Sequence, residues 1–169
     1  PDAGKFLKHN LNIPESNIHA LCKDDNTLFV GTYGHGLRCI NLNTGKSESL
    51  KRRNSPELPS DNIFSLYKGN TEKIYIGTDE GCAIYDTSNG NVKEIDELEN
   101  LFIYCITEDE KENIWFASYY AGVYRYNKKE DTWKQYVYDP ENPGSLPGNK
   151  ATGIYIDDSG ALWVCTAGE

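Results

Sequence analysis

Six residues in this chain have side chains suited to holding a polyhydroxylated molecule and fall in one recurring kind of place: Tyr33, His35, Asp79, Glu80, Tyr119 and Tyr120. Asn62, with Asn17, Asp61 and Asn149, stands in connections that adjoin them. A tyrosine ring offers an apolar face to the C–H face of a sugar and a hydroxyl at its tip. Carboxylates accept sugar hydroxyls, and amides both donate and accept. Asn and Asp are also common in turns for reasons of backbone geometry, so the binding reading and the plain turn reading both stand at this point.

Other chemistry is poorly served. The three histidines, His9, His19 and His35, share no spacing, which argues against a metal centre and against His35 as a general base. Asp79 and Glu80 are adjacent carboxylates, but neighbours in a tight turn point apart, so a paired acid/base role is not expected. Asp24-Asp25-Asn26, Glu108-Asp109-Glu110 and Asp157-Asp158-Ser159-Gly160 are acidic runs, yet no single run supplies the six to eight oxygens that calcium takes. No phosphate-cradling glycine loop, no G-x-S-x-G and no zinc spacing occurs. The expectation is therefore no catalytic residue, no metal and no cofactor.

What positions the candidate residues is a repeat. Leu28-Phe29-Val30-Gly31-Thr32, Ile74-Tyr75-Ile76-Gly77-Thr78, Ile114-Trp115-Phe116-Ala117-Ser118 and Leu162-Trp163-Val164-Cys165-Thr166 each read aliphatic, aromatic, apolar, small, hydroxyl, and start 46, 40 and 48 positions apart. Upstream of each lies an apolar pair: Ile18/Leu21, Ile63/Leu66, Ile103/Ile106 and Ala151/Ile154. Downstream come Leu37–Ile40, Cys82–Tyr85 and Val123–Tyr126, then Ser47–Leu50, Val92–Ile95 and Trp133–Tyr136. Four short runs between Gly/Asn/Asp/Ser turns predict a four-stranded antiparallel meander, with strands a, b, c and d. A period in the forties on such units predicts β-propeller blades, an all-β fold. Phe29, Tyr75, Trp115 and Trp163 beside Gly31, Gly77, Ala117 and Cys165 predict interlocking of adjacent blades rather than a ligand site.

Strand parity assigns faces. The d-to-a and b-to-c connections share one face, so Tyr33, His35, Asn62, Asp79 and Tyr119 belong together there. Asp25, Glu110 and Asp158 belong on the other. Residues 1–11, with Lys5–His9, match a closing strand d; units follow at 12–57, 58–100 and 101–145, with a partial one at 146–169. The chain opens on Pro1, lacks Met and stops at Glu169, so it reads as a piece of a longer protein forming an open, partial propeller. Apolar faces at its ends, around Ile154/Ile156/Trp163 and Phe6/Leu7, predict self-association as a homodimer.

A formal charge of −9 and a pI near 4.8 argue against nucleic acid and anionic membrane surfaces as partners. Five cysteines, all in expected strands, read as buried thiols. No signal peptide or membrane-spanning run is present in the sequence.

Leu-Pro-Ser-Asp-Asn-Ile (58–63), Ile-Tyr-Ile-Gly-Thr-Asp-Glu-Gly (74–81), Asn-Ile-Trp-Phe-Ala-Ser (113–118), Ala-Gly-Val-Tyr-Arg-Tyr (121–126) and Asp-Asp-Ser-Gly-Ala-Leu-Trp-Val-Cys-Thr (157–166) resemble two-component regulator propeller repeats. The last run also resembles the Asp-box turn of sialidase-type propellers, although a β-turn accounts for it. Lys68-Gly69-Asn70 departs from the usual acidic turn, and Ala117 and Cys165 from the usual glycine. The resemblance implies a periplasmic sensor of polysaccharide breakdown products, the ectodomain of a membrane-anchored hybrid two-component protein whose kinase lies outside this stretch. Two alternatives remain open: a piece of a propeller lyase or hydrolase, and an interaction scaffold without ligand.

Overall fold

The computed structural model describes residues 17–167, and the expected strand d at Lys5–His9 lies outside them. The first sheet holds β1 (Ile18–Asp24), β2 (Thr27–Thr32), β3 (Leu37–Asn41) and β4 (Ser47–Leu50). The second holds β5 (Ile63–Lys68), β6 (Lys73–Thr78), β7 (Cys82–Asp86) and β8 (Val92–Glu94). The third holds β9 (Ile103–Glu108), β10 (Asn113–Ser118), β11 (Gly122–Asn127) and β12 (Thr132–Tyr136), and β13 (Ala151–Ile156) pairs with β14 (Leu162–Thr166) in the fourth. Every pairing is antiparallel between chain neighbours, including β5 with β6 as the sequence predicts. One short 3-10 turn, Asp96–Leu98, tightens the second d-to-a connection and buries Leu98. No helix among the described residues is long and apolar enough to cross a membrane.

Consecutive sheets approach most closely through their first strands, β1 to β5, β5 to β9 and β9 to β13. The first strands therefore line the inner side of a fan and the fourth strands its outer rim. This is an open arc of a β-propeller. Alternation along the second strands sends one face to each neighbour. Phe29 meets Tyr85 of the next sheet at 5.5 Å between ring centroids, and Tyr75 meets Phe116 at 6.1 Å.

The small residue two places on is set by what the next sheet presents. A Cβ on Gly31 would sit 2.6 Å from Ile63 Cγ2, and one on Gly77 would sit 2.8 Å from the Ile103 carbonyl oxygen and 2.9 Å from Ile103 Cγ2. At the third junction Ala151 replaces the isoleucine, and Ala117 is accommodated beside it in a common buried cluster with Val123. The departure from glycine at position 117 is thus compensated across the sheet interface.

Two expectations need correction at the fourth sheet. Trp163 is 63% exposed with Tyr155 at 64%, but Ile154 packs inward against Ala117, Val123 and Ala151. The pairing explains this: Ile154 opposes Val164, while Tyr155 opposes Trp163 on the alternate face. Among the thiols Cys82 is fully buried, whereas Cys165 is exposed, on the same alternation as Trp163. At the other end Leu21 is 61% exposed, although its repeat counterpart Leu66 packs into the core between the first two sheets.

Candidate functional site

The inner strands share a defect in register that builds the site. In β1 the pairing steps from Ile18↔Thr32 to Ala20↔Gly31, in β5 from Ile63↔Thr78 to Ser65↔Gly77. In β9 it steps from Ile103↔Ser118 to Cys105↔Ala117, and in β13 from Ala151↔Thr166 to Gly153↔Cys165. Each sheet therefore carries a β-bulge at one place, and the extra residue is His19, Phe64, Tyr104 and Thr152 in turn. A bulge bends its strand and re-aims the unpaired residue. The residues on either side remain committed to packing: Ile63 and Ile103 are fully buried, as is Ala151.

Three of the four bulge residues are aromatic, and they join rings from the b-to-c loops into one chain across three sheets. His19 lies 6.0 Å from Tyr33 and 5.2 Å from Phe64. Phe64 lies 6.0 Å from Tyr33, 4.5 Å from Phe102 and 5.8 Å from Tyr104. Tyr119 closes on Phe102 at 5.5 Å, on Tyr104 at 6.0 Å and on Tyr120 at 4.7 Å. Water still reaches the rings: Tyr33 is 48% exposed, Tyr104 39% and Tyr120 67%. Tyr104 belongs to the third sheet, which has a neighbour on both sides, so an uncovered end does not explain its exposure.

In the first and third sheets the b-to-c loops deliver tyrosines to this chain of rings. Buried Thr32 and Thr78 donate their hydroxyls to the carbonyls of Gly36 and Gly81, at 2.7 and 2.9 Å. That is the physical reason a hydroxyl ends the second strand in the first two sheets, whereas the Ser118 hydroxyl in the third is buried without a partner. Gly36 and Gly122 close their loops at φ of 74° and 73°, and a Cβ on either would strike the carbonyl of Leu50 or Tyr136. The residue after the hydroxyl is Tyr33, Asp79, Tyr119 or Ala167. Tyr33 and Tyr119 each donate a backbone N–H to the residue that leads into strand a, the carbonyls of Asn17 and Phe102, both at 2.9 Å.

The expected site residues divide into three groups. Tyr33, Tyr119 and Tyr120 enter the ring chain. Asp79 accepts from Asn62 Nδ2 at 2.7 Å through Oδ2, while its Oδ1 is buried without a hydrogen-bond partner. Glu80 pairs with Arg52 at 2.7 Å on the outer side, and His35 is exposed outside the ring chain. Asp61 and Asn149 serve the framework: Asp61 O accepts from Gly34 and Gly36, and Asn149 O from Gly122. Asp25, Glu110 and Asp158 lie in the turns between first and second strands, at the opposite ends of the sheets. Sequence reasoning missed His19 as a contributor, and missed Phe64, Phe102 and Tyr104. The available signal was the position directly after the leading apolar residue of strand a, aromatic in three of four copies.

Charge on this face is mostly negative. Burial, with Glu99 and Glu57 nearby, raises the Glu94 carboxyl above its ordinary value, and Arg52 works against them. At the opposite end of the fourth sheet the acidic run builds more than a turn. Asp157 accepts from the Ser159 hydroxyl and from Trp163 Nε1, at 2.5 and 2.7 Å, and Asp109 holds Trp115 Nε1 at 2.9 Å in the third. These are clasps on the packing tryptophans. Among the described residues no three His, Cys, Asp or Glu side chains are grouped to hold a metal ion.

Comparison with known proteins agrees with this architecture. Residues 97–120 and 145–168 match the model of the two component regulator propeller family. Histidine kinase P4 of Formosa agariphila is 31% identical over 150 residues, which is 84% of this chain and 11% of that protein. An extracellular domain from B. thetaiotaomicron, described as part of a hybrid two component system, is 20% identical with a TM-score of 0.53, over 90% of this chain and 26% of that one. PorZ of Porphyromonas gingivalis superposes with a TM-score of 0.70 at 15% identity, over 95% of this chain and 26% of that one. The chain thus spans about a tenth of the curated relative and about a quarter of these solved chains. The arc carries two component regulator propeller repeats, matched at residues 97–120 and 145–168, and the chain is similar to part of a far longer histidine kinase.

Proposed function

We propose that this chain is a non-catalytic, ligand-sensing part of the extracytoplasmic, periplasmic region of a membrane-anchored two-component sensor, and that it binds oligosaccharides released from polysaccharides. The family and the kinase relative support the signalling half of this reading. The observation that carries the binding half is the solvent-accessible chain of rings from His19 to Tyr120, with Asn62 and Asp79 beside it. Exposed aromatic surface on a rigid sheet, next to groups that exchange hydrogen bonds with hydroxyls, is the make-up of a sugar site. Phosphotransfer belongs to other parts of the longer protein, which receive the signal as a change in how this region packs.

The test is thermal unfolding of the chain with and without enzymatic digests of plant and algal polysaccharides. Binding to the folded state alone raises the midpoint in proportion to the logarithm of ligand concentration. A midpoint unmoved by every digest would refute the oligosaccharide reading. Catalytic consumption of a digest by the purified chain would refute the non-catalytic one.

A further inference from the structure

The four bulges carry the reading one step further, to the class of sugar and the residues that select it; this step rests on the oligosaccharide reading above. In each inner strand the bulge residue is the one side chain left out of the ladder, and in the second, third and fourth sheets the residue before it, Ile63, Ile103 or Ala151, is spent on packing between sheets. Such a position is free to vary without cost to the fold. The identities do vary: His19, Phe64, Tyr104, Thr152.

We infer that the bulge residues are the specificity-determining positions of a site for neutral, β-linked pyranose oligosaccharides, with Phe64 and Tyr104 as the stacking floor and Asp79 Oδ1 as a hydroxyl acceptor. Phe64 and Tyr104 lie 5.8 Å apart with their planes 30° from parallel, whereas His19 stands edge-on to Phe64 at 5.2 Å, so the second and third sheets supply the ring faces and His19 borders them. Stacking requires a flat sugar face of C–H bonds, which pyranoses with all hydroxyls equatorial present on both sides. A polar atom buried without a partner is costly, and Asp79 Oδ1 is such an atom, on the loop that follows β6 and bonded through its other oxygen to Asn62. A ligand hydroxyl donating to it removes that cost, whereas a uronate or sulfate would meet its charge. The basic stretch Lys51–Arg53 follows β4 at the outer rim, and its Arg52 is already paired with Glu80. Thr152, the small bulge residue, ends the floor at the fourth sheet.

Isothermal titration of the 169-residue chain with cellotetraose, xylotetraose, tetragalacturonate and a heparin-derived tetrasaccharide tests this. The expected result is binding of a neutral probe in preference to both acidic ones, weakened about tenfold or more by Phe64→Ala and by Tyr104→Ala. Tyr155→Ala, an exposed ring on the uncovered face of the fourth sheet, should leave affinity unchanged. Circular dichroism of each variant separates loss of binding from loss of fold. Should a variant unfold, Phe64→Leu and Tyr104→Leu, which keep apolar bulk but not a ring, give the same readout. Preference for an acidic probe, or neutral binding that survives loss of both rings, overturns this inference and leaves the oligosaccharide reading intact. Failure of all four probes overturns this inference, while the digests decide the oligosaccharide reading.

Discussion

The junction between the first two sheets gives a prediction whose sign follows from geometry. Gly31 lies in β2, where replacing glycine by alanine ordinarily stabilises by about 0.4–1 kcal/mol, because the unfolded chain loses freedom. Here the added methyl would fall 2.6 Å from Ile63 Cγ2, 3.2 Å from Ile63 Cβ and 3.3 Å from Ala20 Cβ. Two of these atoms belong to fully buried Ile63 and the third to partly buried Ala20, so overpacking, at about 1–3 kcal/mol, outweighs the gain. Gly31→Ala should therefore destabilise. Ile63→Ala alone should cost about 2–5 kcal/mol, because Ile63 is fully buried between the sheets.

Together the two changes recreate the Ala117–Ala151 arrangement of the third junction, so they should couple. The double variant should be more stable than the sum of the singles by about 0.5–3 kcal/mol, read from urea unfolding of all four members of the cycle. The second junction supplies the contrast. A methyl on Gly77 would also strike the backbone oxygen of Ile103 at 2.8 Å, which truncating that side chain does not remove. Gly77→Ala with Ile103→Ala should show weaker rescue. Additive costs at Gly31 and Ile63, or a stabilising Gly31→Ala, would refute the account of sheet interlocking.

Four further outcomes follow. Glu108, 2% exposed, pairs with Lys128, 22% exposed, and accepts from Asn70 of the second sheet, so Lys128→Met should cost more in urea unfolding than Glu108→Gln, about 1–3 kcal/mol; equal costs would contradict the sealed carboxylate. Bonds from Ser159, Trp163 and Ala161 depress Asp157 from the ordinary 3.8 to about 2, so its clasp is intact above pH 4 and lost as pH falls toward 2; the Trp163 indole N–H resonance should follow that window, and stay insensitive in Asp157→Asn. Iodoacetamide at pH 8 should modify exposed Cys165 well before Cys39, which burial and then Glu48 push up to about 12, and before Cys82, which burial raises further; mass spectrometry of early time points reverses this ranking if the burial is wrong. Sedimentation should show a dimer formed through the uncovered Tyr155/Trp163 face and weakened by Trp163→Ser, whereas an unchanged monomer at high concentration would refute it.

Most of the fold was legible because it is written repeatedly. The five-residue pattern ending in a hydroxyl predicted the second strand of every sheet, and turn residues separated the rest. The pattern answers physical demands: a ring to reach the next sheet, a small residue where that sheet comes close and, in the first two sheets, a hydroxyl to hold the following loop. Ile154 was assigned to the wrong face because proximity to Trp163 was judged without the pairing register. Counted from the turn, Ile156 pairs with Leu162, Tyr155 with Trp163 and Ile154 with Val164, so Ile154 and Trp163 fall on opposite faces by plain alternation.

The bulges explain why the site was only half legible. Loop rings such as Tyr33 and Tyr119 announce themselves, because an exposed aromatic after a conserved-looking turn has no packing duty to explain it. Phe64 and Tyr104 sit inside strands, where an aromatic residue reads as core under strict two-residue alternation. Alternation would indeed place them opposite Ile63 and Ile103, on a face packed between sheets. The bulge breaks the alternation at that step and turns the ring to the inner surface of the fan, and a bulge leaves no fixed residue type in the sequence. Only alignment of the four copies reveals it: the residue after the leading apolar position is His, Phe, Tyr and Thr, a mixture that no single packing environment would select. A change among aromatic and polar types at one register, beside a position that stays aliphatic, is the trace that a binding surface leaves in a repeat. In this chain that trace lies on the inner strands, with the turn residues of the b-to-c loops as its border.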